Sequence, residues 1–226
     1  MAKTKTIEDL FVYIDIYSNL LPFFLYILFY KQIASKHITV IIAYCLINFL
    51  INFLLDGRFL NSFLSQFLYS LFTFFEFILF SLFFYLIIKS KKIKWTIIFA
   101  NVAFVIFLTI YDLTVQFKGL DSIPIGIETI LILLFSFYYL YEQMNNTETL
   151  FIYSKYEFWI AIGCMLYLAG SFFIYIFANQ SQDALTYWYF TNIFSIIKNI
   201  MFSIGVLVCS KSHKNPSQKN LFPHLN

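Results

Sequence analysis

Four ionisable side chains lie inside long apolar stretches of this sequence, where a charge is costly. Glu76 and Lys198 fall near the middle of such stretches, and Asp15 and Glu128 fall closer to one end. A charged side chain at the centre of a membrane costs about 2.5–3.5 kcal/mol on insertion scales. Residues that are kept at that cost bind ligands, carry protons or form buried ion pairs. The matched depth of Glu76 and Lys198 predicts that these two side chains pair.

Polar residues recur at helical spacing around these charges and therefore form stripes. One stripe, which includes Tyr69, lies on one face of the third stretch. Another, which includes Tyr44, lies on one face of the second. The stripes fall at compatible depths, which predicts a polar cavity that opens to the outer side and narrows at the Glu76–Lys198 pair. The residues expected to line this cavity are Asp15, Asn48, Asn52, Gln66, Thr73, Glu76, Glu128, Tyr167, Asn192, Ser195 and Lys198. Gly163 and Gly170 share a stripe with Tyr167, which predicts close approach of a neighbouring helix.

The composition indicates which elements position these residues. Of the 226 residues, 61% are hydrophobic and 12% are charged. A soluble domain is about half hydrophobic and about a quarter charged. This balance excludes a disordered chain, a nucleic-acid-binding domain and an ordinary soluble enzyme. Seven stretches are long enough, or nearly so, to cross a membrane as helices, and they do not alternate as barrel strands do. They are placed at 11–30, 38–55, 64–88, 95–111, 123–142, 157–178 and 187–209.

The predicted fold is therefore all-α, with one seven-helix membrane domain over residues 1–210 and a flexible cytoplasmic tail over 211–226. Basic residues set its orientation. Ten lie at the connections on one side and four on the other, with Lys198 inside the last helix. The positive-inside rule then places the N-terminus outside and the C-terminus in the cytoplasm. Trp95 and Trp159 fall at the predicted inner interface and Trp188 at the outer one, as the aromatic belt favours.

Residue types needed for several chemistries are missing from the predicted helices. The three histidines, His37, His213 and His224, lie outside them, which excludes an intramembrane histidine–metal site and a Ser–His or Cys–His nucleophile. The three cysteines, Cys45, Cys164 and Cys209, lie in or at the end of apolar stretches, as buried hydrophobes do. We therefore predict no enzymatic activity, no cofactor and no nucleic-acid partner. The expected partners are the lipid bilayer and a small polar or lipidic ligand.

Two stretches carry a family resemblance. Residues 158–170, FWIAIGCMLYLAG, and residues 192–205, NIFSIIKNIMFSIG, resemble small seven-helix membrane proteins of Bacteroidota. Most members of that group have no assigned function. The resemblance implies a location in the bacterial inner membrane and a two-component sensor kinase as a partner. It transfers no catalytic or ligand-binding residue.

The leading functional hypothesis is a receptor or sensor that binds a ligand from the outer side and relays occupancy to a cytoplasmic or membrane partner. A small solute or proton-coupled transporter is the first alternative, and a membrane scaffold without a ligand is the second. A retinal protein with a Schiff base on Lys198 and Glu76 as counter-ion is a further alternative. The position of Trp159 at the membrane surface speaks against it, because retinal proteins place such rings deep in the bundle.

Overall fold

The computed structural model describes residues 2–33, 35–56, 61–115, 122–145, 151–178 and 184–214. Within these ranges the chain is helical, with short 3-10 turns at Tyr30–Gln32 and Ile152–Ser154. The α-helices are α1 (Ala2–Ser18), α2 (Leu20–Leu28), α3 (Lys36–Asp56), α4 (Ser62–Ile87), α5 (Lys91–Val115), α6 (Ser122–Met144), α7 (Tyr156–Ala178) and α8 (Ala184–Lys214).

The predicted number of membrane-length helices is confirmed. Seven helical stretches of the described chain are long and apolar enough to span a membrane, with α1 and α2 together providing the first, over Leu10–Leu28. The stretch predicted at 95–111 is longer, because α5 covers Lys91–Val115. The last helix is also longer than predicted and continues to Lys214. Residues 211–214 of the predicted flexible tail are therefore helical, and 215–226 lie outside the described residues.

The first span is broken where the sequence predicted a continuous helix. Pro22 has no N–H to donate to the Ser18 carbonyl four residues earlier, so the helical hydrogen-bond ladder cannot continue there. Polar side chains cluster at the break, where Ser18 Oγ and Asn19 Nδ2 both donate to the Asp15 carbonyl, at 2.7 and 3.0 Å. Asn199 Nδ2 of α8 in turn donates to Ser18 Oγ at 2.7 Å. These bonds give the buried polar side chains at the break hydrogen-bond partners and join the break to α8.

The bundle has two ends of different character. We call the end of the bundle where α1, α4, α6 and α8 begin the N-terminal face. The opposite end, where α2, α4, α6 and α8 finish, is the C-terminal face. The half next to the C-terminal face is filled by buried apolar and aromatic side chains. They include Ile38, Ile41, Ile42, Phe80, Phe83, Phe84, Ile160, Phe202 and Val206. This half is closed by packing, whereas the buried polar groups described below lie nearer to the N-terminal face.

Hydrogen bonds tie the helix ends together at the C-terminal face. The Glu142 carboxylate accepts the backbone N–H groups of Lys89 and Ser90 at 2.9 and 3.0 Å, where α5 is about to begin. A carboxylate is favoured at this place because helix N-termini carry unpaired N–H groups and a partial positive charge. The Tyr156 hydroxyl bonds Ser35 Oγ at 2.7 Å and His37 Nδ1 at 2.8 Å. The Glu142 contacts join the end of α6 to the connection between α4 and α5, and the Tyr156 contacts join the start of α7 to the start of α3.

Glycines allow α7 and α8 to pack closely, as their stripe predicted. A Cβ atom on Gly170 would lie 2.5 Å from the Phe194 ring, and one on Gly163 would lie 3.0 Å from Met201 Cβ. Real Cβ atoms essentially never show the first separation, and the second is tighter than nine in ten of their contacts, so α8 occupies space that glycine leaves open, most strictly at Gly170. Helix α8 also packs on α1 and α2, which makes it a central element of the bundle.

Gly170→Ala is expected to destabilise the protein by about 1–3 kcal/mol, the usual result of overpacking a filled site. Gly126→Ala is the matched control, because its Cβ would meet Phe172 at 3.3 Å and a small shift would relieve the contact. Thermal unfolding in detergent measures both. Partial rescue of Gly170→Ala by Phe194→Leu would locate the clash, and equal loss in the two alanine variants would contradict this packing.

Candidate functional site

A buried hydrogen-bonded network connects the two central charges. The Tyr44 hydroxyl donates to Glu76 Oε1 at 2.6 Å and accepts from Lys198 Nζ at 2.6 Å. All three side chains are at most 5% exposed. The predicted pairing of Glu76 with Lys198 is therefore indirect, because the Tyr44 hydroxyl stands between the ammonium and the carboxylate.

Two further side chains complete this network. Asn48 Nδ2 donates to the Tyr44 hydroxyl at 3.2 Å, and the Tyr167 hydroxyl donates to Glu76 Oε2 at 3.5 Å. The Lys198 ammonium also lies 4.0 Å from the centroid of the Tyr167 ring, within the range of cation–π attraction. The Tyr44 hydroxyl thus uses its one proton and both lone pairs. Helices α3, α4, α7 and α8 are joined at this point.

Tyr44 was not among the predicted site residues, although it is the centre of the network. The sequence carried a signal for it, since Tyr44 precedes Asn48 by four residues and so shares its helical face. Tyrosine is common in apolar helices for packing alone. Only the approach of Glu76 and Lys198 from other helices distinguishes this hydroxyl from the rest.

A partly open cavity of about 190 Å³ lies between this network and the N-terminal face. Its walls come from α1, α3, α4, α7 and α8, and they are Asp15, Asn48, Asn52, Leu55, Tyr69, Phe72, Tyr167, Thr191, Asn192 and Ser195. Six of these residues are among the predicted lining residues, namely Asp15, Asn48, Asn52, Tyr167, Asn192 and Ser195. The structure adds two aromatic rings and the side chains of Leu55 and Thr191.

A chain of hydrogen bonds leads from the cavity wall to the buried charges. Asn52 Nδ2 donates to the backbone oxygen of Asn48 at 3.0 Å and also to Asn48 Oδ1. Asn48 in turn donates to Tyr44, and Tyr44 contacts both Glu76 and Lys198. A change in hydrogen bonding at Asn52 can therefore be felt at the charge network through directly bonded groups.

Asp15 is the carboxylate that borders the cavity itself. The Ser195 hydroxyl is hydrogen-bonded to it, and Lys198 is close enough to attract it electrostatically. Its Oδ1 atom is buried and has no hydrogen-bond partner. Buried carboxylate oxygens are normally satisfied, so this unpartnered atom leaves the Asp15 carboxylate without a full set of hydrogen bonds.

Five predicted lining residues are not in the cavity wall. Glu76 and Lys198 lie in the network beneath the cavity, and the other three lie elsewhere. Thr73 is buried in α4, where its hydroxyl donates to the Tyr69 carbonyl at 3.3 Å, and Gln66 of the same helix is half-buried outside the cavity wall. Glu128 does not stand at the cavity mouth as expected. It is 1% exposed, its Oε1 atom has no hydrogen-bond partner, and it is close enough to Glu76 for the two carboxyl groups to interact. The reason is that α6 packs against α4 and α7, which directs this residue into the bundle.

The described residues contain no group of three or more His, Cys, Asp or Glu side chains that could hold a metal ion. Comparisons add no relative, since no family model, curated protein or solved structure matches this chain. The geometry of the cavity and of the network beneath it is therefore the basis for a functional proposal.

Proposed function

We propose that this protein is a membrane receptor or sensor that binds a small polar ligand in the cavity beneath its N-terminal face. The observation that carries the proposal is the hydrogen-bonded path from Asn52 at the cavity wall to Lys198 and Glu76 in the interior. A bundle that needed only stability would be better served by apolar packing at these positions, because buried ion pairs recover their desolvation cost poorly. A ligand that rearranges the cavity hydrogen bonds would change the energy of the buried charges.

The closed C-terminal half supports binding rather than passage. Phe80, Phe84 and Phe202 are fully buried below the network, and the aromatic rings of Phe80 and Phe202 meet edge to face at 6.2 Å. A transporter, the alternative function, has to open a polar route through this half. Buried side chains of the described residues there are mostly apolar, and the buried hydroxyls of Ser81, Ser136 and Ser203 donate to their own helix backbone, so the one-sided cavity is better suited to a receptor.

Helix α8 is the proposed relay. Asn192 and Ser195 border the cavity, Lys198 is in the network, and the helix continues to Lys214 at the C-terminal face. Because α8 packs on α7, α1 and α2, a small shift of this helix alters several interfaces at once. The partner that reads this shift would contact the helix ends of the C-terminal face, and the resemblance suggests a sensor kinase.

We further propose that the N-terminal face points outward from a bacterial inner membrane. Exposed lysines at the C-terminal face support this orientation, because the positive-inside rule places basic residues on the cytoplasmic side. These lysines are Lys31, Lys36, Lys89, Lys91 and Lys92. Surface apolar side chains such as Phe99, at 76% exposure, suit contact with lipid.

The orientation predicts the pattern of cysteine labelling in intact cells. An impermeant thiol reagent should modify Asn61→Cys, at the exposed start of α4, and should not modify Lys92→Cys, at the exposed start of α5. The native cysteines are buried, so their background reaction should be low. Labelling of Lys92→Cys alone would reverse the orientation and the side from which the ligand enters.

Ligand binding at the cavity is tested by thermal unfolding of the purified protein against a panel of polar metabolites and lipids. A ligand that binds only the folded state stabilises it by about 2.7 kcal/mol at a hundredfold excess over Kd. Asn192→Trp fills the cavity and should remove this stabilisation. Phe190→Trp, an exposed position on the same helix, should keep it. Equal stabilisation of both variants would mean that the ligand binds outside the cavity. Uptake of the same compound into proteoliposomes would favour the transporter over the receptor.

A further inference from the structure

We infer that the ligand of this cavity is a small organic cation, an amine or a quaternary ammonium compound, and that Asp15 is its counter-ion. The inference rests on the proposed function, since it names the ligand class of the same cavity. Three features support it, namely the charge balance of the interior, the incomplete hydrogen bonding of the Asp15 carboxylate and the aromatic walls.

The interior of the described bundle carries more carboxyl groups than amines. Lys198 lies near two carboxylates, those of Glu76 and Asp15. Its ammonium donates to the Tyr44 hydroxyl, which in turn donates to Glu76, so we pair Lys198 with Glu76. Asp15 has only a longer-range attraction to the same ammonium. An anionic ligand would therefore meet repulsion at the cavity, whereas a cation would supply the missing positive charge.

The geometry at Asp15 provides a defined contact for that cation. Its Oδ1 atom is buried at the cavity wall and lacks a donor, while Ser195 holds the carboxylate in place. A buried acceptor without a donor is destabilising, and more so when the acceptor is charged. An ammonium in the cavity would offset this cost by its attraction to the carboxylate.

Aromatic rings make the wall suitable for an organic cation rather than a bare metal ion. Tyr69, Phe72 and Tyr167 line the cavity. The Tyr167 ring already accepts one ammonium, that of Lys198, at 4.0 Å from its centroid. Carboxylate and ring faces together recognise alkylammonium groups, because charge attraction and cation–π contact act on the same group. The volume of about 190 Å³ is below the 300–1,000 Å³ typical of drug-sized ligands, so the cation is small.

The test uses the full-length chain purified in detergent, with methylammonium, tetramethylammonium and choline chloride as probes. Sodium chloride at equal ionic strength and 3,3-dimethyl-1-butanol, the neutral isostere of choline, are the reference compounds. We expect at least one organic cation to raise the thermal unfolding midpoint in a saturable manner, with no saturable effect from either reference. Asp15→Asn should weaken that binding at least tenfold, and Asp56→Asn, an exposed carboxylate near the same face, should not.

A second variant guards against a folding defect in Asp15→Asn. Tyr69→Leu keeps the carboxylate and removes one ring, and it should weaken choline binding severalfold while binding of any neutral stabiliser is unchanged. Equal stabilisation by sodium chloride, or by the neutral isostere, would overturn the cation inference, as would equal binding to wild type and Asp15→Asn. A neutral stabiliser that is lost in Asn192→Trp would still support the cavity as a receptor site, so the two proposals fail separately.

Discussion

Lys198→Met is expected to destabilise the protein by about 3–5 kcal/mol, because it leaves the Glu76 carboxylate buried without a positive charge. Lys198 is fully buried and Glu76 is 5% exposed, so water cannot replace the lost ammonium without opening the bundle. Reversible unfolding in detergent measures the loss. Lys211→Met is the matched control, since Lys211 is an exposed lysine on the same helix and its replacement should change stability by no more than about 0.5 kcal/mol.

Glu76→Gln should show a comparable loss, since it leaves the ammonium of Lys198 buried without its carboxylate. The double variant should recover part of the combined loss, because both buried charges are then absent. Strictly additive losses would contradict a shared network and would remove Glu76 and Lys198 from the site.

Tyr44→Phe is expected to have the second largest effect, a loss of about 3 kcal/mol or more. The change removes one hydroxyl that donates to Glu76 and accepts from Lys198. A hydrogen bond to a charged group contributes about 1.5–3 kcal/mol, and two are lost here. Tyr139→Phe is the matched control, because Tyr139 is equally buried at 1% exposure and its hydroxyl has no hydrogen-bond partner. That substitution should leave the free energy of unfolding nearly unchanged or slightly raised.

The same substitution tests whether Glu76 and Lys198 communicate through Tyr44. The coupling energy of the Glu76→Gln and Lys198→Met pair should be smaller when it is measured in the Tyr44→Phe background. An unchanged coupling energy would mean that the two charges interact without the hydroxyl, and the relay from the cavity through Asn48 would lose its connection.

The sequence alone was sufficient for the number and type of the elements. Whether a stretch such as Lys36–Asp56 becomes a membrane-length helix depends on its own length and hydropathy, because backbone groups in an apolar environment must be satisfied within the segment. The sequence also predicted which residues share a face. Asn48 and Asn52 lie on one stripe at a spacing of four whatever surrounds the helix, and both do line the cavity.

Local pattern was insufficient where two or more helices had to meet. Pro22 was visible in the sequence, but no local pattern predicts that Asn199 of α8, 181 positions away, bonds Ser18 at the break. Glu128 has the depth of a residue at the cavity mouth, yet the packing of α6 against α4 and α7 turns it toward Glu76.

The tertiary structure alone decided that Tyr44 links Glu76 to Lys198, and that Asp15 borders the cavity and has one carboxylate oxygen without a hydrogen-bond partner. The physical reason is that helical periodicity determines the face and depth of a side chain from its own segment. The choice of neighbouring helix, by contrast, depends on close packing among side chains far apart in the chain, as where Gly170 admits Phe194.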